Sequence, residues 1–292
     1  PDGVPFYEGN VADRDLVERI FAEQGTSAIM HFAGSIVVPE SVEKPLEYYR
    51  NNTLASHALL STAVDSGVKH FVFSSTAAVY GAPERVPVEE DNPKLPINPY
   101  GASKLMTERM LEDSSAAYPL NYAALRYFNV SGADPEGRTG QVGKGSTHLI
   151  KVAVETAVGK RDHVDVFGTD YDTPDGSCVR DYIHVSDLAD AHVKALDYLR
   201  GGGASVTLNC GYGHGYSVRE VISTVNRVNG KEIKTVEQPR RAGDPPSLVA
   251  KADRVRKILN WTPQFDDLET IVQSQLAWEK RLLAEPELQK NG

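Results

Sequence analysis

Cysteine is nearly absent from this sequence: Cys178 and Cys210 are the only two, and no C-x-x-C spacing occurs. That excludes a disulfide framework and a thiolate zinc site, and it fits a reducing compartment, the cytoplasm. No apolar run approaches the roughly 18 residues that a membrane span needs, so no membrane partner is expected. Positive charge is also short, with 31 Lys and Arg against 40 Asp and Glu, a net −9. The basic residues are scattered, which argues against a nucleic-acid surface. None of the eight histidines lies in H-E-x-x-H, and no G-x-S-x-G is present, so metalloprotease and hydrolase chemistry lack a basis. Asp170-x-Asp172-x-x-Asp175-Gly176 is one residue out of calcium-loop register and has no closing glutamate, so no metal is expected.

What the sequence does contain is an alternation of apolar strands and amphipathic helices. Asp13 is placed to cap a helix carrying Leu16, Val17, Ile20 and Phe21, with Gly25 as its stop. A strand follows at residues 28–33. A helix over 45–66, stopped by Gly67, leads to a strand at 70–74, then come a helix over 100–118 and a strand at 122–129. Pro5-Phe6-Tyr7-Glu8-Gly9 reads as a further short strand. Strands that are apolar without alternation imply parallel pairing under helices on both faces, a doubly wound sheet. Beyond Asn129, glycine, proline and aspartate become frequent and elements shorten, as in a smaller lobe. Helix starts are signalled there by Ser186, by Ser217-x-x-Glu220 with Gly230 as the stop, and by Asp266-x-x-Glu269. The expected division is 1–130 and 131–292, with returning segments packed on the first part.

In such sheets ligands bind at the carboxyl ends of strands. Those ends are Phe32-Ala33-Gly34, Ser74-Ser75-Thr76 and Tyr127-Phe128-Asn129. Twenty-four residues after Thr76, Tyr100 and Lys104 stand at i, i+4 at the start of a helix. Tyrosine and lysine at that spacing are common on exposed helices; the hydroxyl-rich strand end gives this pair its interest. A phenol with a pKa near 10 serves as a base at neutral pH only when a cation stabilises the phenolate. Lys104 is that cation, and Thr76 is placed to hydrogen-bond the reacting hydroxyl. The three together describe a hydride-transfer site.

The stretches FSSTAAVYG (73–81), NPYGASK (98–104), LRYFNVSGADPEG (125–137), VRDYIHVSDLADAH (179–192) and RRAGDPP (240–246) resemble the extended short-chain dehydrogenase/reductases, and among them the UDP-hexose 4-epimerases. The resemblance spans residues 8–278. It implies a Rossmann-like doubly wound parallel sheet with a smaller α/β substrate lobe, and a tightly held NAD that takes a hydride from sugar C4 and returns it to the other face. Tyr100 would take the 4-hydroxyl proton, Thr76 would assist, and Lys104 would hold the nicotinamide ribose and lower the Tyr100 pKa. Asn10, Val11, Phe32, Ala33, Gly34, Asn51, Ser74 and Tyr127 would lie along the NAD. Asn129, His148, Leu149, Phe167, Arg180, Tyr182, Val218, Arg241, Asp244 and Leu248 would hold UDP-glucose or UDP-galactose, the arginines on the pyrophosphate. The other partner for Arg180 is a carboxylate, Asp181 or Asp187. A homodimer formed through the helices at 45–66 and 100–118 is implied as well.

The departures are specific. Ile36 stands where many such enzymes have lysine, His148 where some have asparagine, and Leu248 where a bulky or a small residue relates to N-acetylated sugars. The family's opening unit, a strand leading through a Gly-x-x-Gly-x-x-Gly loop straight into a helix, is not in the sequence, so we expect a preceding strand–helix–strand unit of roughly 40 to 50 residues. The loop at 211–215, Gly-Tyr-Gly-His-Gly, has the wrong spacing to replace it and matches the substrate lobe. Two other readings are another NAD-dependent nucleotide-sugar enzyme, a 4,6-dehydratase or a decarboxylase, and a non-catalytic nucleotide-binding protein. The dehydratase needs an acid and a base directly after the threonine, where this sequence has Ala77 and Ala78.

Overall fold

Strand β2 (His70–Thr76) is apolar without alternation because both of its faces are covered: Phe71, Val72 and Phe73 are each at most 1% exposed. The computed structural model describes residues 3–143, 145–241 and 244–289. The chain forms two compact units whose segments interleave in sequence. The first comprises residues 1–81, 94–126 and 192–208, and the second residues 82–93, 127–191 and 209–292.

The first unit holds a sheet in the order β1-β2-β3-β8, with β1 (Ala28–His31), β3 (Asn121–Tyr127) and the start of β8 (Val206–Cys210) beside β2. β1 and β2 are parallel, Ala28 opposite His70 and His31 opposite Phe73. Helix α1 (Arg14–Gln24) starts where Asp13 accepts from the Leu16 amide at 3.2 Å and stops at Gly25. Its Val17 joins Leu59, Leu60, Phe71, Phe73 and Leu111 in one core cluster. Each fully buried large side chain there contributes about 1.5–3 kcal/mol.

Three expected elements differ. Residues 5–9 form no strand, and Phe6 is 87% exposed; no described strand lies alongside to take up the backbone groups. The helix expected over 45–66 is preceded by α2 (Val38–Glu43) and is itself composite: α3 (Pro45–Tyr48), a π-helical turn (Tyr49–Leu54), then α4 (Ala55–Asp65). The 70–74 strand runs on to Thr76, whose side chain accepts from the Ala78 amide and opens a 3-10 turn, Ala77–Tyr80.

Helix α5 (Pro99–Ala117) begins with Asn98 accepting from the Gly101 amide at 2.9 Å and proline in the first turn. A Cβ on Gly101 would lie 2.5 Å from the Ala78 carbonyl oxygen, so only glycine lets the helix start rest on the turn after Thr76.

The second unit contains small sheets: β4 (Asn129–Ser131) with β7 (Tyr182–His184), β5 (Val164–Phe167) with β10 (Thr235–Gln238), and β6 (Val179–Arg180) between β11 (Ser247–Leu248) and β9 (Tyr216–Ser217). Its helices are α6 (Leu149–Ala157), α8 (Val218–Asn229), α9 (Asp253–Leu259) and α10 (Leu268–Ala284). The capping box at Ser217 and Glu220 is present on both sides. Two other starts shift by a residue or two: α7 (Val185–Arg200) begins before Ser186, and Asp267, not Asp266, caps α10 by accepting from the Thr270 amide at 2.8 Å.

Candidate functional site

In the first unit, Tyr100 and Lys104 lie one turn apart on α5, both buried, and Ser74 and Thr76 lie buried at the end of β2. The Lys104 ammonium donates to the Ser74 carbonyl oxygen at 3.0 Å and sits 5.0 Å over the Phe73 ring. Burial lowers its pKa to about 8. No ion pair engages Lys104 among the described residues. His31, stacked on Phe73 and 2.9 Å from the Ser56 hydroxyl, is pushed down to about 4 by burial first and by the Lys104 charge second. Thr76 Oγ1 accepts from the Ala78 amide at 3.1 Å, which orients the hydroxyl with its own proton available to donate.

At the end of β1, Phe32, Ala33 and Gly34 are exposed, and Phe32 packs on His192 with ring centroids 4.8 Å apart. The tandem asparagines separate. Asn51 is exposed and reaches the Ser35 hydroxyl at 3.3 Å, whereas Asn52 is buried, accepting from the Ser35 amide at 2.7 Å and donating to the Ser103 hydroxyl at 3.0 Å. A Cβ on Gly34 would come within 3.0 Å of Asn52 Oδ1 and 3.6 Å of Lys104 Nζ. Asn52 is therefore the asparagine that shares this corner with Lys104, and the sequence reading missed it. The tandem was visible, but only the register of the π-turn decides which member turns inward. Asn10 is exposed and closes a local turn by accepting from the Ala12 amide at 2.9 Å, while Val11 packs against the core cluster.

In the second unit, Arg180 stands in β6 opposite Tyr216 on one side and Leu248 on the other. Its guanidinium lies 3.6 Å from Asp244. Neither carboxylate proposed as its partner is available. Asp181 accepts from the Tyr212, Gly213 and Ala250 amides, and Asp187 from the Tyr212 hydroxyl and the Gln264 and Phe265 amides. Arg241 stacks over the Phe167 ring at 4.0 Å. His148 and Leu149 form the start of α6, and burial lowers the His148 pKa. Asn129 pairs with Tyr182 and donates its amide to the Asp181 carbonyl at 3.0 Å. Tyr182 is sealed in the core, whereas Tyr127, Asn129, Val218, Asp244 and Leu248 are half-buried. Among the described residues no group of three metal-ligating side chains converges, and no helix is long and apolar enough to cross a membrane.

A parallel sheet ending in a hydroxyl cluster, with a Tyr-x-x-x-Lys helix docked on it, defines the class. The chain belongs to the NAD dependent epimerase/dehydratase family, whose pattern matches residues 1–211. Its relatives carry a more particular name. The chain is 59% identical over 282 residues to a UDP-glucose 4-epimerase of Azospirillum brasilense, covering 97% of this chain and 81% of that one. The UDP-glucose 4-epimerase of Brucella ovis, solved in complex with NAD, superposes with a TM-score of 0.91 at 42% identity, covering 93% of this chain and 84% of that one. The Bifidobacterium longum UDP-glucose 4-epimerase, solved with NAD+ and UDP, gives 0.89 at 41% identity, with coverage of 96% and 84%.

Proposed function

We propose that this protein interconverts UDP-glucose and UDP-galactose by inverting C4, using NAD that it holds throughout. The observation that carries the reading is the buried Lys104, tied to the Ser74 carbonyl at 3.0 Å and one turn from Tyr100. The first unit is read as the cofactor-binding part and the second as the nucleotide-sugar part.

The residues present fit the nicotinamide end of NAD. Phe32–Gly34 leave the end of β1 open, and a side chain at Gly34 would fill the corner where Asn52 and Lys104 offer polar atoms. What the dinucleotide supplies when bound is reversible acceptance of two electrons and the C4 hydrogen. Tyr100 takes the proton of the 4-hydroxyl, with its phenolate favoured by the neighbouring Lys104 cation. Thr76 donates a hydrogen bond to the same oxygen. Returning the proton from Tyr100 after the 4-ketone has presented its other face gives the opposite configuration, with no net oxidation. On the sugar-nucleotide side, Arg180 and Arg241 are read as holding the pyrophosphate, since a guanidinium fork matches phosphate oxygens.

A second copy of the chain is the expected partner. Val42, Leu46, Leu54 and Met106, from α2, α3, the π-turn and α5, are exposed apolar side chains, Leu46 to 80%. Cys178 and Cys210 are buried free thiols, in keeping with the cytoplasm.

The test is incubation of the protein with UDP-galactose and no added reductant. Formation of UDP-glucose that Tyr100→Phe abolishes supports the reading. A 4-keto-6-deoxy product points to the dehydratase, which Ala77 and Ala78 disfavour, and no turnover with NAD bound points to a binding protein.

A further inference from the structure

Tyr100, Lys104 and Glu108 follow one another at four-residue steps on α5 and so share one stripe of the helix. The two that follow Tyr100 meet consecutive residues of β2. Lys104 donates to the Ser74 carbonyl, and Glu108 Oε1 accepts from the Ser75 hydroxyl at 2.5 Å. Thr76 is the next residue. Glu108 is held from its other side by Arg126 of β3, Nε to Oε1 at 2.9 Å and Nη2 to Oε2 at 2.6 Å. Arg126 Nη1 in turn donates to the Tyr80 hydroxyl at 2.8 Å, with the guanidinium 5.0 Å from the centre of that ring. Tyr80 ends the 3-10 turn that starts at Thr76. The network therefore grips the chain on both sides of Thr76, at Ser75 and at Tyr80. Ser75, Tyr80, Glu108 and Arg126 are all buried.

A buried ion pair is seldom more stable than apolar side chains of the same size, so stability alone does not account for one here. What a bidentate fork adds is direction. Apolar contacts tolerate sliding and rotation of a helix on a sheet, whereas two parallel N–H···O bonds fix both. One residue of axial slip moves a helical side chain by about 1.5 Å.

We propose that Glu108 and Arg126 are positioning residues that lock the register of α5 on the sheet, and with it the placement of Tyr100 and Lys104 relative to Thr76. Neither touches the substrate; they act through Ser75 and the helix. The proposal rests on the epimerase reading above.

The test compares wild type with the double variant Glu108→Leu/Arg126→Met and with Ser75→Ala. The readouts are thermal midpoint, bound NAD, KM for UDP-galactose and kcat. Removing both charges leaves no ion unpaired, so the double variant should keep its fold, NAD and KM. Its kcat should fall about 10- to 100-fold, since a misplacement near 1 Å costs up to roughly 100-fold. Ser75→Ala should lose roughly fivefold in kcat, the worth of one hydrogen bond, again at constant KM. A folded double variant with wild-type kcat overturns the proposal. Should that variant not fold, Ser75→Ala decides alone: reduced kcat at constant KM supports the proposal, and wild-type kcat overturns it. A wild-type protein that holds NAD but does not turn over UDP-galactose instead refutes the epimerase reading.

Discussion

The Lys104 ammonium is bonded to the Ser74 carbonyl oxygen at 3.0 Å, two residues before Thr76, so the cation of the helix is fixed to the strand that carries the hydroxyl. That bond ties β2 to α5 one turn along from Tyr100.

If Tyr100 moves the proton and Lys104 favours its phenolate, the two substitutions should differ in kind. Tyr100→Phe should lower kcat by about 10²- to 10⁴-fold, the usual worth of general acid–base catalysis, with KM for UDP-galactose little changed. Lys104→Met removes the stabilising cation but keeps the phenol. It should retain weak activity that rises with pH as the phenol ionises unaided toward its ordinary pKa near 10. Profiles of kcat between pH 6 and 10 test this. A flat profile for Lys104→Met would show that Lys104 does not tune Tyr100.

His31 offers a stability test independent of catalysis. Its pKa is about 4 in the folded protein against an ordinary 6.5, chiefly because it is buried. Between these values the unfolded chain binds the proton and the folded one does not, so folding stability falls as pH drops from 6.5 to 4. The shift corresponds to roughly 3 kcal/mol at most. His31→Phe should flatten that part of the stability curve, measured by urea unfolding at pH 7, 5.5 and 4.5. An unchanged slope would mean that His31 titrates normally in the fold.

Arg180 is half of a pair with Asp244 at 3.6 Å, long for an ion pair and open to competition by a phosphate. Arg180→Lys keeps the charge and loses the fork. UDP affinity should drop about tenfold, equivalent to ~1.4 kcal/mol, seen by calorimetric titration with kcat less affected. Equal UDP affinity in the variant would place the pyrophosphate elsewhere.

Much of this arrangement was legible in the sequence because it depends on local rules. The unalternated run at 71–73 marked a strand covered on both faces, and Asp13, Ser217 with Glu220, and Gly25 marked helix ends, since capping is set by neighbours in sequence. Tyr100 and Lys104 stood out by their spacing. The π-turn over Tyr49–Leu54 was not legible, since tertiary contact inserts it, and with it went the choice between Asn51 and Asn52. Returning segments were expected, but their bounds, residues 82–93 and 192–208, were not legible, because they depend on contacts distant in sequence. Glu108 and Arg126 did leave a trace: an acid on the Tyr100 stripe and a single charge inside the strand NYAALRY.

Asp181 is the clearest case of a residue whose role only the structure exposes. Its carboxylate accepts from the Tyr212 amide at 3.0 Å on one oxygen, and from the Gly213 and Ala250 amides at 3.1 and 3.2 Å on the other. Burial raises its pKa to about 6 despite these donors. Its backbone meets the Leu248 carbonyl and the Asn129 amide, so one residue joins three segments that carry candidate substrate contacts. Gly211 makes room for it, since a Cβ there would lie 2.6 Å from Asp181 Oδ2. In Asp181→Asn one acceptor becomes a donor facing an amide, and an unsatisfied buried donor costs about 1–3 kcal/mol. Gly211→Ala should act on the same bonds by displacing the carboxylate. Each single variant should lower the thermal midpoint by several degrees, roughly 2–4 °C per kcal/mol for a chain of this size. Because both disturb one cluster, the double variant should lose less than the sum of the two. Losses that simply add would show that Gly211 is needed for a reason unrelated to Asp181.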